Sequence, residues 1–343
     1  MIRVAQILAG SAHGGAENFY VRLVQGLHRS GKTEQQAFIR YHQHRLDALQ
    51  SAGVPAHGYR FGGPLNIIDH KLYIKALQKC HPDIVMTWMN RATKLTPKGS
   101  YKLVSRLGHF YNLKYYRHSD YWIGNTQGIC DHLVRGGMPA ERVFHITNFA
   151  TEISVEPLSR DSFMPLNGAP LLLGAGRLHV NKGFDVLLQA LVNIPNATLW
   201  LAGSGPEDQS LKQLCHDLGL NDRVRFLGWR DDVAALMRTA DIFVCPSRYE
   251  GLGSIVLESW VNHCPIVATA SGGPSELIDD GETGLLTPID QPDILAQKIC
   301  SLLENSDQRT LLAQNGQKKY WGSYSEKVVT AQYEDFYSNI LGN

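Results

Sequence analysis

At 343 residues, 43% of them apolar, the chain is long enough for two hydrophobic cores and too ordinary in composition for a disordered or fibrous protein. No stretch is long and apolar enough to span a bilayer, and six scattered cysteines without a C-x-x-C pair suit free thiols in a reducing compartment better than disulfides or zinc. The near-neutral total hides an asymmetry, with 19 Lys+Arg against 8 Asp+Glu in residues 1–150 (+11) and 14 against 24 in 151–343 (−10); a basic amino-terminal half suits an anionic membrane surface or acceptor, while no recognised motif supports nucleic acid as a partner.

Short apolar strands alternate with amphipathic helices, the mark of parallel α/β architecture. The opening apolar run is short and Gly14-Gly15 leads directly into a helical pattern, so residues 2–9 read as a first strand, not an export signal, and 16–30 as a helix closed by Gly31. Strands are expected at 83–88, 121–124 and 143–146. Residues 149–168 carry two prolines and no clear period, and read as a linker. The alternation then restarts, with strands at 171–175, 198–202, 224–227, 242–246, 265–269 and 284–287, and helices at 182–191, 207–218, 233–238, 254–262 and from about 291. A long final helix, 325–341, has aromatics at 333, 336 and 337. Twice-repeated alternation suggests two Rossmann-like lobes, with the chemistry on the loops that follow strands.

The most informative of those loops is SRYEGLGSIVLE, 247–258. Its glycines let backbone approach a ligand, and the helix starting near Ser254 aims unpaired N–H groups and a positive dipole end at the loop, which suits a diphosphate. Glu250 can accept from sugar hydroxyls, and Glu258, two turns into the helix, from a ribose diol. In GAGRLHVNKG, 174–183, Arg177 and Lys182 can clamp a diphosphate and stabilise a departing nucleotide. LAGSGP, 201–206, offers Gly203 in a strand-to-helix turn. FLGWRDDV, 226–233, offers Trp229 and Arg230 to frame a base, and GGPSEL, 272–277, is a further glycine turn. Each segment alone is equally readable as an ordinary turn with solvated charges; their number and order within one lobe give the pattern its weight.

In these segments the chain resembles the retaining family 4 glycosyltransferases, over nearly its whole length and most densely from 171 to 287. Glu250 and Glu258 look like the family's E-x7-E element, and Arg177 and Lys182 like its basic pair. The resemblance implies a GT-B fold: two Rossmann-like doubly wound lobes facing a central cleft, residues 1–155 for the acceptor and 156–322 for the nucleotide sugar, with a helix, 323–343, returning to the first lobe. It implies Arg177, Lys182, Glu250 and His109 as catalytic residues, and a donor held by Gly14, Gly15, Gly203, Trp229, Arg230, Gly251, Leu252, Gly253, Ser254 and Glu258. Glu17 and Arg106 are the expected acceptor contacts.

No cofactor or metal is expected beyond the UDP- or GDP-sugar co-substrate, because the acidic pair Asp231-Asp232 is adjacent and lacks Asp-x-Asp spacing. The acceptor is expected to be a glycan or lipid-linked, in lipopolysaccharide or surface polysaccharide assembly at the inner face of the cytoplasmic membrane. Residues 94–117, with six Lys/Arg, five Phe/Tyr and no acid, suit an anionic membrane interface or a solvated face with buried tyrosines. Competing readings are a UDP-sugar 2-epimerase on the same plan and a non-catalytic nucleotide-sugar or membrane-surface binding protein. A dinucleotide oxidoreductase is disfavoured because 10–15 (GSAHGG) does not reproduce G-x-G-x-x-G.

Overall fold

The structure, a computed structural model, describes residues 1–12, 14–62, 66–163 and 168–342. The chain forms two compact units: Met1–Phe149 together with the segment from Ser325 onwards, and Ala150–Tyr324.

The first unit contains β1 (Ile2–Leu8), β2 (Thr33–Arg40), β3 (Ala56–Tyr59), β4 (Ile84–Trp88), β5 (Lys102–Leu107), β6 (Tyr121–Gly124) and β7 (Val143–His145). They pair in the order β3-β2-β1-β4-β5-β6-β7, every pair parallel. The second contains β8 (Leu171–Ala175), β9 (Thr198–Ala202), β10 (Val224–Gly228), β11 (Ile242–Cys245), β12 (Ile266–Thr269) and β13 (Leu285–Thr287). Their order, β10-β9-β8-β11-β12-β13, is again all parallel and repeats the doubly wound plan of the first six strands. Parallel strands with helices on both faces are buried throughout, which explains the continuous apolar runs of β8 and β9.

The strands β2, β3 and β5 were not expected from the sequence. β2 reads TEQQAFIR, too polar for a buried strand, yet Thr33 and Gln35 are buried. Their polarity is satisfied locally: Gln35 Nε2 donates to Thr33 Oγ1 (2.7 Å) and Gln35 Oε1 accepts from Gln6 Nε2 (3.0 Å). β5 lies inside the basic stretch 94–117. Leu103 through Leu107 are buried and Tyr116 packs in a satellite core, so the centre of that stretch is sheet interior.

The final helix, Glu326–Gly342, buries Tyr333, Phe336, Tyr337 and Ile340 against the first unit's sheet, each contributing roughly 1.5–3 kcal/mol. Tyr337 Oη accepts from the buried Gln6 Nε2 (3.3 Å), and Gln6 Oε1 accepts from Trp88 Nε1 (3.0 Å). The crossing between units falls at 149/150 instead of 155/156. Ala150 already packs in the second unit's core, its N–H donating to Tyr320 Oη (3.1 Å). The return falls after Tyr324, which packs beside Trp260, not after 322. Of the expected linker, residues 164–167 lie outside the described residues. Among the described residues no helix is long and apolar enough to cross a membrane.

Candidate active site

In the second sheet the strand order reverses between β8 and β11, and ligands of open α/β sheets bind outside the carboxyl ends of the strands at such a point. The loop after β8 forms a 3₁₀ turn, Val180–Lys182, and leaves through Gly183, whose positive φ of 64° precedes the helix Phe184–Val192. A Cβ on Gly183 would lie 2.1 Å from the Pro246 carbonyl oxygen, so glycine is required where the loops after β8 and β11 meet. The loops are stitched together. Asn181 O accepts from Arg248 N (2.8 Å) and Tyr249 N (3.2 Å).

This contact brings Lys182 to Glu250. Lys182 Nζ donates to Glu250 Oε1, which also accepts from Ser247 Oγ (2.9 Å). Both side chains are largely shielded from solvent. Burial works against the Lys182 charge, but the Glu250 carboxylate, with smaller contributions from Cys245 and Glu258, outweighs it and holds the ammonium above the ordinary lysine range. Lys182 is therefore a cation at neutral pH, fixed beside an acceptor oxygen.

A hollow of about 190 Å³ lies at the carboxyl ends of β8 and β9 and is lined by Arg177, Gly203, Trp229, Arg230, Ile255 and Glu258. Arg177 is exposed and makes no side-chain hydrogen bond or ion pair among the described residues. Arg230 is held by Asp232 through Nε (2.8 Å) and Nη2 (2.6 Å), so the Asp232 carboxylate is engaged within its own loop. Gly203, with φ 146°, sits so close to the loop after β8 that a Cβ would lie 1.8 Å from Gly176 O. Gly253 caps the helix Ser254–Val261 in a left-handed conformation. The turn at Gly273 packs so tightly on Leu252 that a Cβ there would lie 2.1 Å from the Leu252 carbonyl. Larger hollows, of about 310 Å³ beside Phe61 and Leu95 and about 560 Å³ beside Ala169 and Glu304, are lined by none of the expected site residues.

Arg248, to which the sequence lends no role, clamps the region. It donates to Asp185 through Nη1 (2.8 Å) and Nη2 (2.6 Å), to Asp290 through Nε (2.6 Å), and to Val180 O (2.8 Å). It stands two residues before Glu250 and so fixes the loop that carries it. Asp185 is 63 residues away in sequence, and no local pattern announces the pair.

The remaining expected residues belong to the first unit. Gly14 and Gly15 open the helix Gly15–Ser30 after β1, while His13 lies outside the described residues. His109 is exposed on the loop after β5, its ring 5.5 Å from that of Tyr111. The two expected acceptor contacts, Glu17 and Arg106, are both buried. Glu17 is buried, and its Oε1 accepts from Ser11 N (2.8 Å) and Ser11 Oγ (2.9 Å), closing the loop after β1. Arg106 is 2% exposed; its guanidinium lies 4.6 Å from the Trp88 ring and 4.9 Å from the Phe19 ring, and it donates to Asn148 Oδ1 and Tyr333 Oη. Both side chains are thus buried and held by partners within the first unit.

Residues 159–319 match the family described as Glycosyl transferases group 1. The chain is 35% identical over 324 residues to the lipopolysaccharide core biosynthesis glycosyltransferase LpsE of Rhizobium meliloti (strain 1021), covering 93% of this chain and 94% of the relative. The chain belongs to the glycosyl transferases group 1 family. This glycosyltransferase is also 31% identical to LpsD of the same organism over 94% and 95% of the two chains. Its fold matches that of Anabaena Alr3699/HepE crystallised with UDP and glucose, with TM-score 0.82, 22% identity and coverage of 99% and 100%. The glycosyltransferase WaaG, involved in lipopolysaccharide biosynthesis, matches with TM-score 0.69, 18% identity and coverage of 98% and 99%. The glycosyltransferase therefore has the GT-B fold, each of its two units a Rossmann-like α/β layer structure.

Proposed function

We propose that this enzyme is a retaining, metal-independent hexosyltransferase that moves a sugar from a UDP- or GDP-sugar to a glycan or lipid-linked acceptor, in lipopolysaccharide or surface polysaccharide assembly at the inner membrane face. The carrying observation is the Lys182–Glu250 pair, built from loops on both sides of the second sheet's switch point, with Glu258 close enough to Lys182 to influence its charge. A fixed ammonium next to a carboxylate oxygen is what a diphosphate joined to a polyhydroxylated sugar needs. The Rhizobium relatives, named for lipopolysaccharide core synthesis, and the UDP and glucose held by the Anabaena protein point the same way.

In this reading Arg177 and Lys182 bind the diphosphate together with amides of Gly251, Leu252, Gly253 and Ser254. Glu258 takes the ribose, Glu250 the sugar hydroxyls, and Gly203, Trp229 and Arg230 border the base. Gly14, Gly15 and His109 of the first unit are the candidates for the acceptor. The anomeric carbon–oxygen bond to phosphate breaks through an oxocarbenium-like state, and the two cations stabilise the negative charge left on the nucleotide. The acceptor hydroxyl attacks the same face, and its proton passes to the departing phosphate oxygen.

Calorimetric titration with UDP, GDP and ADP identifies the base, and transfer assays test the chemistry. Activity is expected to persist in EDTA and the product to keep the donor's anomeric configuration. Loss of activity in EDTA with rescue by Mn²⁺ removes the metal-free mechanism, and near-normal kcat/KM in both Lys182→Ala and Glu250→Ala removes the site.

A further inference from the structure

The first unit buries a cation that the proposed chemistry does not use. Arg45 stands in the first turn of the helix Gln43–Ser51 and is 2% exposed. Its place is unfavourable on three counts. The amino-terminal end of a helix repels positive charge. Burial strips the guanidinium of water and pulls its pKa down, against the opposing influence of the Glu17 charge. Nη1, buried as well, has no hydrogen-bond partner among the described residues. The hydrogen bonds that the guanidinium does make all go to one loop: Nη2 donates to Ser11 O (2.8 Å) and to Ala12 O (3.0 Å). The neighbouring His44 adds a bond from Nε2 to Ala12 O (3.1 Å). Glu17 holds the same loop by its other polar groups, the Ser11 N–H and hydroxyl, and its carboxylate fills the space beside two glycines. A Cβ on Gly10 would lie 2.6 Å from Glu17 Oε1, and one on Gly14 would lie 2.2 Å from Oε2.

We infer that Arg45 is a positioning residue for the acceptor, fixing the backbone path of Ser11 and Ala12 and through it the place of Gly14, where the acceptor enters the first unit. Two buried charges are a poor way to gain stability, since apolar side chains of the same size would serve as well or better. What the charges provide is geometry: a cation on the carbonyl oxygens and an anion on the amide side leave the loop after β1 one conformation. With its side chain buried, Arg45 itself meets no substrate. Its effect passes through the loop and falls on the acceptor alone, because the residues assigned to the donor belong to the second unit. The inference rests on the reading of Gly14 and Gly15 as acceptor contacts, and the experiment separates the two.

The test compares the full chain with Arg45→Met, Arg45→Gln and Arg45→Lys by steady-state kinetics and by hydrogen exchange on peptides covering Ser11 and Ala12. In Arg45→Met and Arg45→Gln the acceptor KM should rise about tenfold or more while the donor KM stays at the wild-type value. Exchange at Ser11 and Ala12 should quicken at least about tenfold, with β1 and β4 as protected as before. Arg45→Lys keeps a charged donor near the two carbonyls and should recover the acceptor KM to within about threefold of wild type. Should Arg45→Met fail to fold, Arg45→Gln is read by the same measures. Unchanged exchange with an unchanged acceptor KM, a rise in both KM values together, or a lysine variant no better than the neutral ones would each overturn the inference. If the wild-type enzyme transfers to no acceptor, the proposed function fails, and exchange at Ser11 and Ala12 still decides whether Arg45 sets the loop.

Discussion

Arg248 and Asp185 meet through two parallel hydrogen bonds of 2.8 and 2.6 Å, while the same guanidinium reaches Asp290 at 2.6 Å. The loop carrying Glu250 is thereby tied to the helix that follows Lys182, and the distance between the two active-site loops is set by a residue that need not touch substrate. Arg248→Ala should lower kcat/KM about tenfold or more through loss of positioning, and stability by only about 1 kcal/mol, because the pair is partly solvent-screened. Arg248→Lys should restore little, since an ammonium cannot span two carboxylates in the guanidinium's planar geometry. Steady-state kinetics alongside urea unfolding separate the effects; a variant with normal kinetics would leave the clamp without a role in catalysis.

The same pair carries a pH dependence. Burial alone would raise the Asp185 carboxyl, but the hydrogen bonds and charge of Arg248 outweigh it and hold it below the usual carboxylate range. A depressed folded pKa means that the unfolded chain takes up the proton first on acidification. The stabilisation is therefore complete above about pH 4 and is lost as pH falls through the lower folded value. In urea titrations the stability gap between wild type and Arg248→Ala should be constant from neutral pH down to about pH 5 and should shrink below about pH 4. A gap independent of pH down to the acid limit would contradict the assignment.

Lys182 and Glu250 share one contact, so their contributions should not add. Each alanine variant is expected to lower kcat/KM by about 10²–10³. The double variant should fall well short of the product, with a coupling of about 1–3 kcal/mol. Independent effects would mean that the ion pair is dispensable and that the side chains act on separate parts of the substrate.

Much of the second unit is legible in the sequence because its strands are apolar and its loops carry glycine at fixed places. Leu171–Ala175 and Thr198–Ala202 announce themselves, and Gly183 and Gly203 mark points where one loop lies against another. Lys182 and Glu250 could be proposed from loop position alone. What hid the rest was polarity whose partners are distant. Gln6, Gln35 and Thr33 look like surface residues until their mutual bonds are seen, and Lys102–Leu107 is disguised by the basic residues around it. Asp185 and Arg248 lie in different strand-loop-helix units, and only the sheet order brings them together.

Arg106 illustrates how burial redirects a functional expectation. A basic residue at the end of a strand suits an acceptor phosphate, yet its guanidinium lies between Trp88 and Phe19 and bonds to Asn148 and to Tyr333 of the final helix. Arg106→Leu would leave the Asn148 oxygen and the Tyr333 hydroxyl without their donor and remove two cation–π contacts. The expected loss of stability is about 2–4 kcal/mol, with Tm falling accordingly. At temperatures where the variant is fully folded, the KM for acceptor should be near that of wild type, because no substrate contact has been removed. Differential scanning calorimetry and acceptor titration of the same preparation decide the matter. An intact Tm with a large rise in acceptor KM would return Arg106 to the acceptor site.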